Sequence, residues 1–211
     1  MPTYDFPSDV CITEVSLTEA NAVGSATSPY TFARESQDWG GEQWRMVLNF
    51  LPMSRADAAS LEAFISRLRG GLNSFRQGDP YRSLPRGNDF KHGVSPNRSV
   101  KTAVAQAETI EVQGFLPNTS DQLLANDLIE IEGYLYKVLV DADSGASGTG
   151  SNGSGSMTLE VWPRLRKAHA ADLEVVTRNP RGTFTLADSN PTFDRTRLEK
   201  FINQIQCVEV L

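Results

Sequence analysis

The segment from Trp39 to Pro80 constrains the fold most, because a strand, an amphipathic helix and a second strand follow one another with clear boundaries. Ser54 occupies an N-cap position and Asp57 follows three residues later, a variant of the capping box in which the acid also suits the positive end of a helix. Gly70 and Gly71 then provide the left-handed conformation that ends a helix. An apolar stripe lies between these signals at the spacing of one helical face, formed by Leu61, Phe64, Ile65 and Leu68. The opposite face carries Arg55, Glu62, Arg67 and Arg69. The pattern predicts one long helix over residues 54–69, packed on a sheet.

Strands are predicted on both sides of a long polar segment near the N-terminus. Residues 9–18 alternate as a strand, and residues 42–50 alternate with Trp44, Met46, Leu48 and Phe50 on one side. Between them, residues 20–39 are small and polar with scattered aromatic residues, which favours a long hairpin or an arm over a packed helix. The final QIQCVEVL is a strand suited to close the sheet of these N-terminal strands.

The second half of the chain reads as a set of short strands. Residues 81–97 carry turn residues every few positions and are interpreted as a linker. Six segments then predict a small antiparallel barrel or sandwich, and one hairpin is expected to turn at Glu132-Gly133. These segments are AETIEVQG, DLIEIEG, YLYKVLVDA, MTLEVWP, LEVVTRN and GTFTLAD.

Together these patterns predict a mainly β protein of the α+β kind with two domains. The first is discontinuous, 1–98 with 182–211, a β-sandwich or barrel that contains the helix 54–69 and is closed by the C-terminal strand. The second is an inserted antiparallel β-barrel, 99–181, with a flexible Gly/Ser loop at 144–156.

Composition excludes several classes of partner. The chain has 211 residues, a net charge of −6 and a pI near 5.0, which argues against a general nucleic-acid binder and against attraction to anionic membranes. No apolar run approaches the roughly 20 residues of a membrane-spanning helix. The N-terminus lacks a basic region followed by an apolar core, so we expect synthesis in the cytoplasm without a signal peptide and no membrane insertion.

The residues that most often carry chemistry are sparse. The two histidines, His92 and His169, lie in polar, turn-rich contexts and are interpreted as solvated loop residues. Cys11 and Cys207 are interpreted as buried free thiols in neighbouring terminal strands, with a disulfide between them as the alternative.

The acidic and aromatic motifs do not indicate a functional site either. Asp127, Glu130 and Glu132 occupy alternating strand positions and are expected on the solvated face of a sheet. The run from Asp141 differs from a calcium loop, since Ala146 and Asn152 replace the required glycine and glutamate. Trp162 is expected in a core or subunit contact, and Arg164, Arg166 and Lys167 in a solvated turn. We therefore predict no catalytic residue, no bound cofactor and no metal site, and hence no enzyme.

One family resemblance emerges from the order of the motifs. The order is WRMVLNFLPMSRADAASLEAFISRLRG, FRQGDP, a linker, and then GYLYKVL, LEVWPRLRKA and PRGTFTL. It resembles the distal tail proteins of long-tailed bacteriophages over roughly residues 28–187, in particular those with an N-terminal ring-forming β-domain and an inserted β-barrel. The resemblance implies a structural virion protein that forms a homo-hexameric ring at the tail tip.

The resemblance also implies partners. The ring would join the tail tube protein to the baseplate hub and tail-fibre proteins, after synthesis in the host cytoplasm. DNA would pass through a central channel in transit, without specific binding.

The segment 20–39 is our candidate for reaching the next subunit. The candidate interface residues are Tyr30, Phe32, Arg34, Trp39 and Trp44. Two alternatives remain: a carbohydrate- or receptor-binding module with the barrel as reader, and another ring of the same tail, such as a terminator or tube subunit.

Overall fold

A computed structural model describes residues 1–51, 53–90, 98–146, 155–189 and 204–211. The described chain is mainly β, as predicted, and α1 is the single α-helix within these ranges. In chain order the elements are β1 (Thr3–Asp5), β2 (Ile12–Thr27), β3 (Arg34–Phe50), α1 (Arg55–Leu68), β4 (Ser74–Gln77), two short 3-10 helices (Pro80–Arg82 and Asn88–Phe90), β5 (Ser99–Thr102), β6 (Thr109–Phe115), β7 (Leu128–Ile131), β8 (Tyr134–Val138), β9 (Gly155–Trp162), β10 (Gly182–Leu186) and β11 (Gln204–Glu209).

The chain divides into two compact units. Unit 1 holds Met1–Phe6 with Asn73–Phe184, and unit 2 holds Pro7–Leu72 with Thr185–Leu211. Residues 73–98 therefore group with the barrel segment, whereas the predicted division placed them with the N-terminal domain. Whether the chain folds as two independent domains with the predicted boundaries stays a prediction.

Unit 2 contains the antiparallel strand order β11-β3-β2. The strand β3 follows the predicted alternation, because its inward-facing residues Trp44, Met46, Leu48 and Phe50 are all buried. The C-terminal strand β11 pairs with β3 from Gln204↔Asn49 to Val208↔Arg45, which confirms that it closes the sheet of the N-terminal strands.

The helix α1 has the predicted start and the predicted buried face. The Ser54 hydroxyl accepts a hydrogen bond from the backbone N–H of Asp57 at 3.3 Å and donates one to the Asp57 carboxylate at 2.8 Å. The apolar stripe is buried as expected, at Leu61, Phe64, Ile65 and Leu68. The end differs by one residue, because Arg69 itself takes the left-handed conformation with φ 49° before Gly70 and Gly71.

Unit 1 is built on a curled antiparallel sheet with the order β5-β6-β9-β8-β7. Both edge strands are hydrogen-bonded to the segment 172–176: Val100 N–H donates to Leu173 O at 2.8 Å, and Glu130 and Val176 exchange two bonds of 2.9 Å. The interior is apolar and includes Ile110, Val112, Ile129, Ile131, Tyr136, Val138, Leu159 and Val161. The β7–β8 hairpin turns at Glu132-Gly133 as predicted, and both residues have positive φ, as a two-residue hairpin turn requires.

Three predictions about unit 1 segments were wrong. LEVVTRN contributes isolated bridges at Glu174 and Val176 instead of a strand, because its hydrogen bonds are shared between two edges. GTFTL forms β10, which pairs with β4 and not with the curled sheet, and β4 also pairs in parallel with β1. Residues 81–90 are not a linker, since backbone bonds tie them to residues 121–122 and a Cβ at Gly87 would lie 2.4 Å from Gln122 O.

Some predicted features lie outside the described residues. They are Pro52, His92 and the remainder of the linker at 91–97, the Gly/Ser run at 147–154, and the segment 190–203.

Leu61→Ala tests the contribution of the helix stripe to unit 2. Leu61 is fully buried, so its truncation should lower the free energy of unfolding by about 2–5 kcal/mol through lost burial and a residual cavity. Urea unfolding followed by circular dichroism measures this loss. The exposed Ser66→Ala on the same helix serves as the control and should change stability by less than about 0.5 kcal/mol. Equal effects of the two substitutions would contradict the assignment of the buried face.

Candidate functional site

The hairpin β2–β3 extends well beyond the strand that supports it. β11 pairs with β3 only between Arg45 and Asn49, whereas β2 and β3 stay paired out to Thr27↔Arg34. We call residues 20–43 the hairpin arm. Since a strand rises about 3.3 Å per residue, the arm projects about 30 Å past the three-stranded part of unit 2.

Exposed aromatic residues lie on the arm. Tyr30 is 92% exposed, Phe32 80% and Trp39 68%. The tip is held by backbone bonds of 2.9 Å between Ser28 and both Phe32 and Ala33, with Phe32 in the left-handed region at φ 55°. Large aromatic side chains with this exposure are typical of residues that become buried on association.

Trp39 defines one face of the arm. Its indole lies over Gly24, where an added Cβ would stand 2.7 Å from Trp39 Nε1. Next to it is a shallow groove of about 650 Å³ lined by residues 24–26, 35–37 and Trp39. The absence of a side chain at Gly24 therefore leaves room for the indole next to β2.

Four of the five predicted interface residues lie on this arm, and one does not. Arg34 is exposed and its guanidinium donates to Ser25 Oγ at 3.3 Å. Trp44 is only 1% exposed, and its backbone N–H donates to the Glu209 carboxylate at 3.1 Å. Trp44 is thus a core residue at the base of the arm, because the alternation of β3 turns it inward.

Unit 1 contains buried acidic residues that the sequence placed on a solvated face. Glu130 is 5% exposed, forms an ion pair with Arg76 and accepts the backbone N–H of Arg181 at 2.8 Å. Burial raises the pKa of the Glu130 carboxyl, opposed by the Arg181 hydrogen bond and the charges of Arg76 and Arg181. The expectation for Glu130 was wrong because an arginine on another strand lets the carboxylate be buried. A cleft of about 390 Å³ lies beside it, lined in part by Thr3, Glu174 and Thr183.

Asp127 is also buried, at 4% exposure, and its carboxylate accepts hydrogen bonds from loop residues. Its carboxylate accepts the backbone N–H of Leu124 at 2.9 Å and that of Arg86 at 3.2 Å, and it pairs with the Arg86 guanidinium. These bonds satisfy loop N–H groups that the barrel would otherwise leave unpaired. Asp127 is therefore a structural residue, and only Glu132 of the three acidic residues is exposed.

His169 is buried instead of solvated, which corrects the prediction for this histidine. Its Nε2 lies 3.1 Å from the Tyr136 hydroxyl and its Nδ1 lies 2.7 Å from Glu132 Oε2. Lys167 Nζ lies 3.1 Å from the same carboxylate. The hydrogen bond from His169, followed by that from Lys167, holds the pKa of Glu132 below its ordinary value. Tyr136 and the His169 side chain have no exposed surface, so the cluster fastens the segment 164–169 and offers no access to a substrate.

The turn segments that carry acidic and basic motifs are held by hydrogen bonds and ion pairs to other segments of unit 1. Asp141 and Asp143 accept the backbone N–H groups of Ala125 and Asp121 at 2.7 and 2.8 Å. Arg164 pairs with Glu108 at 3.0 Å. Within the described ranges, His, Cys, Asp and Glu side chains form no group of three or more arranged to hold a metal ion.

Trp162 and Cys207 are buried, whereas Cys11 is exposed. Trp162 is 9% exposed, with Lys137 Nζ 6.0 Å from its ring centroid, so it lies in the core as one of its two expected roles. Both cysteines are free. Cys207 is buried, and burial raises its pKa to about 12. Cys11 is exposed and precedes β2, and β3 lies between β2 and β11, so the expectation of two buried thiols in neighbouring strands was wrong for Cys11.

Sequence reasoning missed the Glu130 and His169 clusters. Their partners are distant along the chain, as with Arg76 and Arg181 around Glu130. The only local signal was the apolar neighbourhood of LIEI, in which strand β7 is buried on both faces.

Comparison with known proteins adds no relative to this description: no protein-family model matches the chain, and no curated protein matches it. In the part of the chain that the structure describes, no helix has both the length and the apolar character needed to cross a membrane.

Glu132→Gln tests the electrostatics of the His169 cluster. Because the folded-state pKa of Glu132 is lowered, its ionised form stabilises the fold above its ordinary pKa of 4.5, and that contribution is lost as the pH falls through the lowered value. The free energy of unfolding should therefore fall less steeply below about pH 4.5 in the variant than in the parent. Glu160→Gln, on the exposed side of β9, is the control and should keep the parent's slope. Identical slopes for all three proteins would contradict the lowered pKa.

The thiols give a second prediction. One thiol per folded chain should react rapidly with a disulfide reagent at pH 8, since Cys11 is exposed and Cys207 is buried with a raised pKa. Cys11→Ser should abolish the rapid reaction, and Cys207→Ser should leave it unchanged. Rapid reaction of two thiols in the folded parent would contradict the placement of Cys207.

Proposed function

We propose that this chain is a structural virion protein that forms a six-copy ring at the distal end of a phage tail. In this role it joins the tail tube to the baseplate hub and tail fibres and leaves a channel for DNA ejection. The observation that carries the proposal is the hairpin arm, which projects past its supporting strand with Tyr30, Phe32 and Trp39 exposed.

The arm has the physical properties of an association element. A two-stranded ribbon without a covering layer is marginally stable in water, because it buries little apolar surface. Its side chains are exposed on both faces, and β2 forms the last strand of the order β11-β3-β2. An arm of this kind gains the missing burial by packing on another copy, which is how it supports assembly.

A closed ring needs two different surfaces on each copy. In a head-to-tail arrangement, a projecting element of one copy meets a receiving surface on the next. The arm supplies the projecting element, and the compact body of unit 2 remains available as the receiving one.

The overall charge fits a conduit for DNA. A net charge of −6 gives the chain no general attraction for phosphates, so DNA would move past it without being held. This supports transit through a channel and no specific nucleic-acid binding.

The structure bears differently on the two alternative functions. The carbohydrate-binding alternative needs exposed aromatic residues on one face of the barrel, and Trp162, the strongest candidate for such a platform, is buried. Another ring of the same tail, a terminator or tube subunit, would use the arm equally well. The binding partner on each side of the ring distinguishes these rings, and pull-down with tube and hub proteins identifies it.

Shortening the arm tests the proposal. A variant in which Asn-Gly joins Asn21 to Glu42 removes the exposed aromatic residues and keeps the paired base of the hairpin. We expect six-copy rings for the parent and monomers for the variant, by light scattering and negative-stain electron microscopy. Thr31→Ser, which keeps the arm length, should form rings like the parent. Intact rings from the shortened variant, or a strictly monomeric parent at every concentration, would overturn the proposal.

A further inference from the structure

We propose that the shallow groove beside Trp39 is a binding site for a neutral saccharide. The groove has a volume of about 650 Å³ and lies on one face of the hairpin arm, away from the barrel of unit 1 in the sequence. All of its lining residues belong to a single copy. The inference therefore goes beyond the proposed ring and does not depend on it.

The side chains of the groove share one face of the ribbon. Residues that pair directly across two strands point to the same face, and the register pairs Gly24 with Gln37 and Ala26 with Glu35. A Cβ at Gly24 would lie 2.7 Å from Trp39 Nε1, so the indole lies on this same face. We call these five residues the tryptophan face.

The polar side chains of the tryptophan face have no partner of their own. Trp39 is 68% exposed, and Glu35 and Gln37 are exposed as well. Within the part of the chain that the structure describes, the side chains of Glu35 and Gln37 form no hydrogen bond or ion pair. Because a strand rises about 3.3 Å per residue, they leave β3 about 7 Å apart. A ligand in the groove therefore meets an indole, a carboxamide and a carboxylate along one strand.

A pyranose ring matches this set of groups. One side of such a ring presents C–H groups, which pack on the electron-rich face of an indole. Its rim presents hydroxyls, each of which both donates and accepts hydrogen bonds. The Glu35 carboxylate only accepts, and the Gln37 carboxamide both donates and accepts, so sugar hydroxyls satisfy both side chains.

Other classes of ligand leave groups of the groove unsatisfied. An apolar ring of a protein partner would cover Glu35 and Gln37 without giving them hydrogen bonds, which is unfavourable for both. A phosphate group would be repelled by the Glu35 carboxylate. A lysine or arginine would pair with Glu35 and leave the N–H donors of Gln37 without an acceptor. A neutral saccharide satisfies the carboxylate, the carboxamide and the indole together.

The opposite face of the arm stays available for association between copies. Val23 precedes Gly24 on β2, so its side chain lies on the face away from the groove, and it is 53% exposed. Tyr30 and Phe32 lie at the tip. Packing of the tip and of the Val23 side on another copy leaves the tryptophan face open to solvent.

Saccharide binding by the full-length protein tests the inference. The labelled protein is applied to an array of immobilised neutral oligosaccharides of glucose, galactose, mannose and N-acetylhexosamines, and the sugar that binds best is titrated in solution by calorimetry. We expect the parent to bind, and Trp39→Ala to weaken binding about tenfold or more. Glu35→Ala should weaken it about tenfold through the lost hydrogen bonds to a charged group.

Two further variants separate the groove from the rest of the arm. Gly24→Ala should also weaken binding, because the added Cβ displaces the indole without removing any polar group. Thr27→Ala changes an exposed residue on the opposite face of β2 and is the control, which should keep the affinity of the parent. Circular dichroism checks that each variant keeps the fold of the parent.

The outcomes bear separately on the groove and on the ring. No binding to any neutral saccharide of the array, or binding that Trp39→Ala, Glu35→Ala and Gly24→Ala all retain, overturns the groove assignment. Binding of a lysine-rich peptide in place of the saccharides overturns it as well. Light scattering on the same samples reports the ring: a monomeric parent that binds a saccharide through Trp39 overturns the ring alone, and six-copy rings that bind no saccharide overturn the groove alone.

Discussion

The pairing of β3 with β11 ends at Arg45↔Val208, and this end point separates the packed part of unit 2 from its projecting hairpin arm. On one side of that point, β3 lies between two strands and turns Met46, Leu48 and Phe50 into a core. On the other side, only β2 remains, and the hairpin continues as a two-stranded ribbon. The Glu209 carboxylate accepts the Trp44 N–H at this boundary and so extends the ladder by one bond after the strand ends.

In unit 1, buried polar groups supply the hydrogen bonds that its loops and edge strands require. Its curled sheet is closed by the segment 172–176, which is hydrogen-bonded to both edge strands. Backbone N–H groups of the adjoining loops still need hydrogen-bond acceptors, and strand β7 is buried on both faces. Glu130 and Asp127 accept these N–H groups, and arginines balance their charge. The carboxylates of these pairs are buried while the arginines are partly exposed, so desolvation of each carboxylate offsets part of the attraction.

Prediction from sequence worked where the determining interactions are local. Ser54 and the apolar stripe specify α1 within one segment, the alternation around Met46 specifies β3, and Glu132-Gly133 specifies a hairpin turn. It failed where a residue's environment is set by distant segments. No residue near Glu130 in the sequence indicates that Arg76 and Arg181 lie beside it in the folded chain.

The same limit applies to the candidate site. The aromatic residues of the segment 20–39 indicated an exposed arm, and Tyr30, Phe32 and Trp39 are exposed. Trp44 was placed in the same set because it is aromatic and nearby, although the alternation of its own strand already turned it inward. Periodicity was the better guide than composition at that position. The pairing of GTFTL with β4 also depends on a partner about 100 residues away, which no local pattern encodes.

The central claim is that the arm, a paired hairpin without a covering layer in a single copy, becomes buried and stabilised by association. Hydrogen exchange of the backbone amides, measured on the full chain at low and high concentration, tests this most directly. The account predicts rapid exchange across residues 20–43 in the monomer and slow exchange across the same residues in the assembled protein, with residues 45–49 protected in both. Equal protection of the arm at both concentrations, or an arm that still exchanges rapidly in assembled rings, would contradict it.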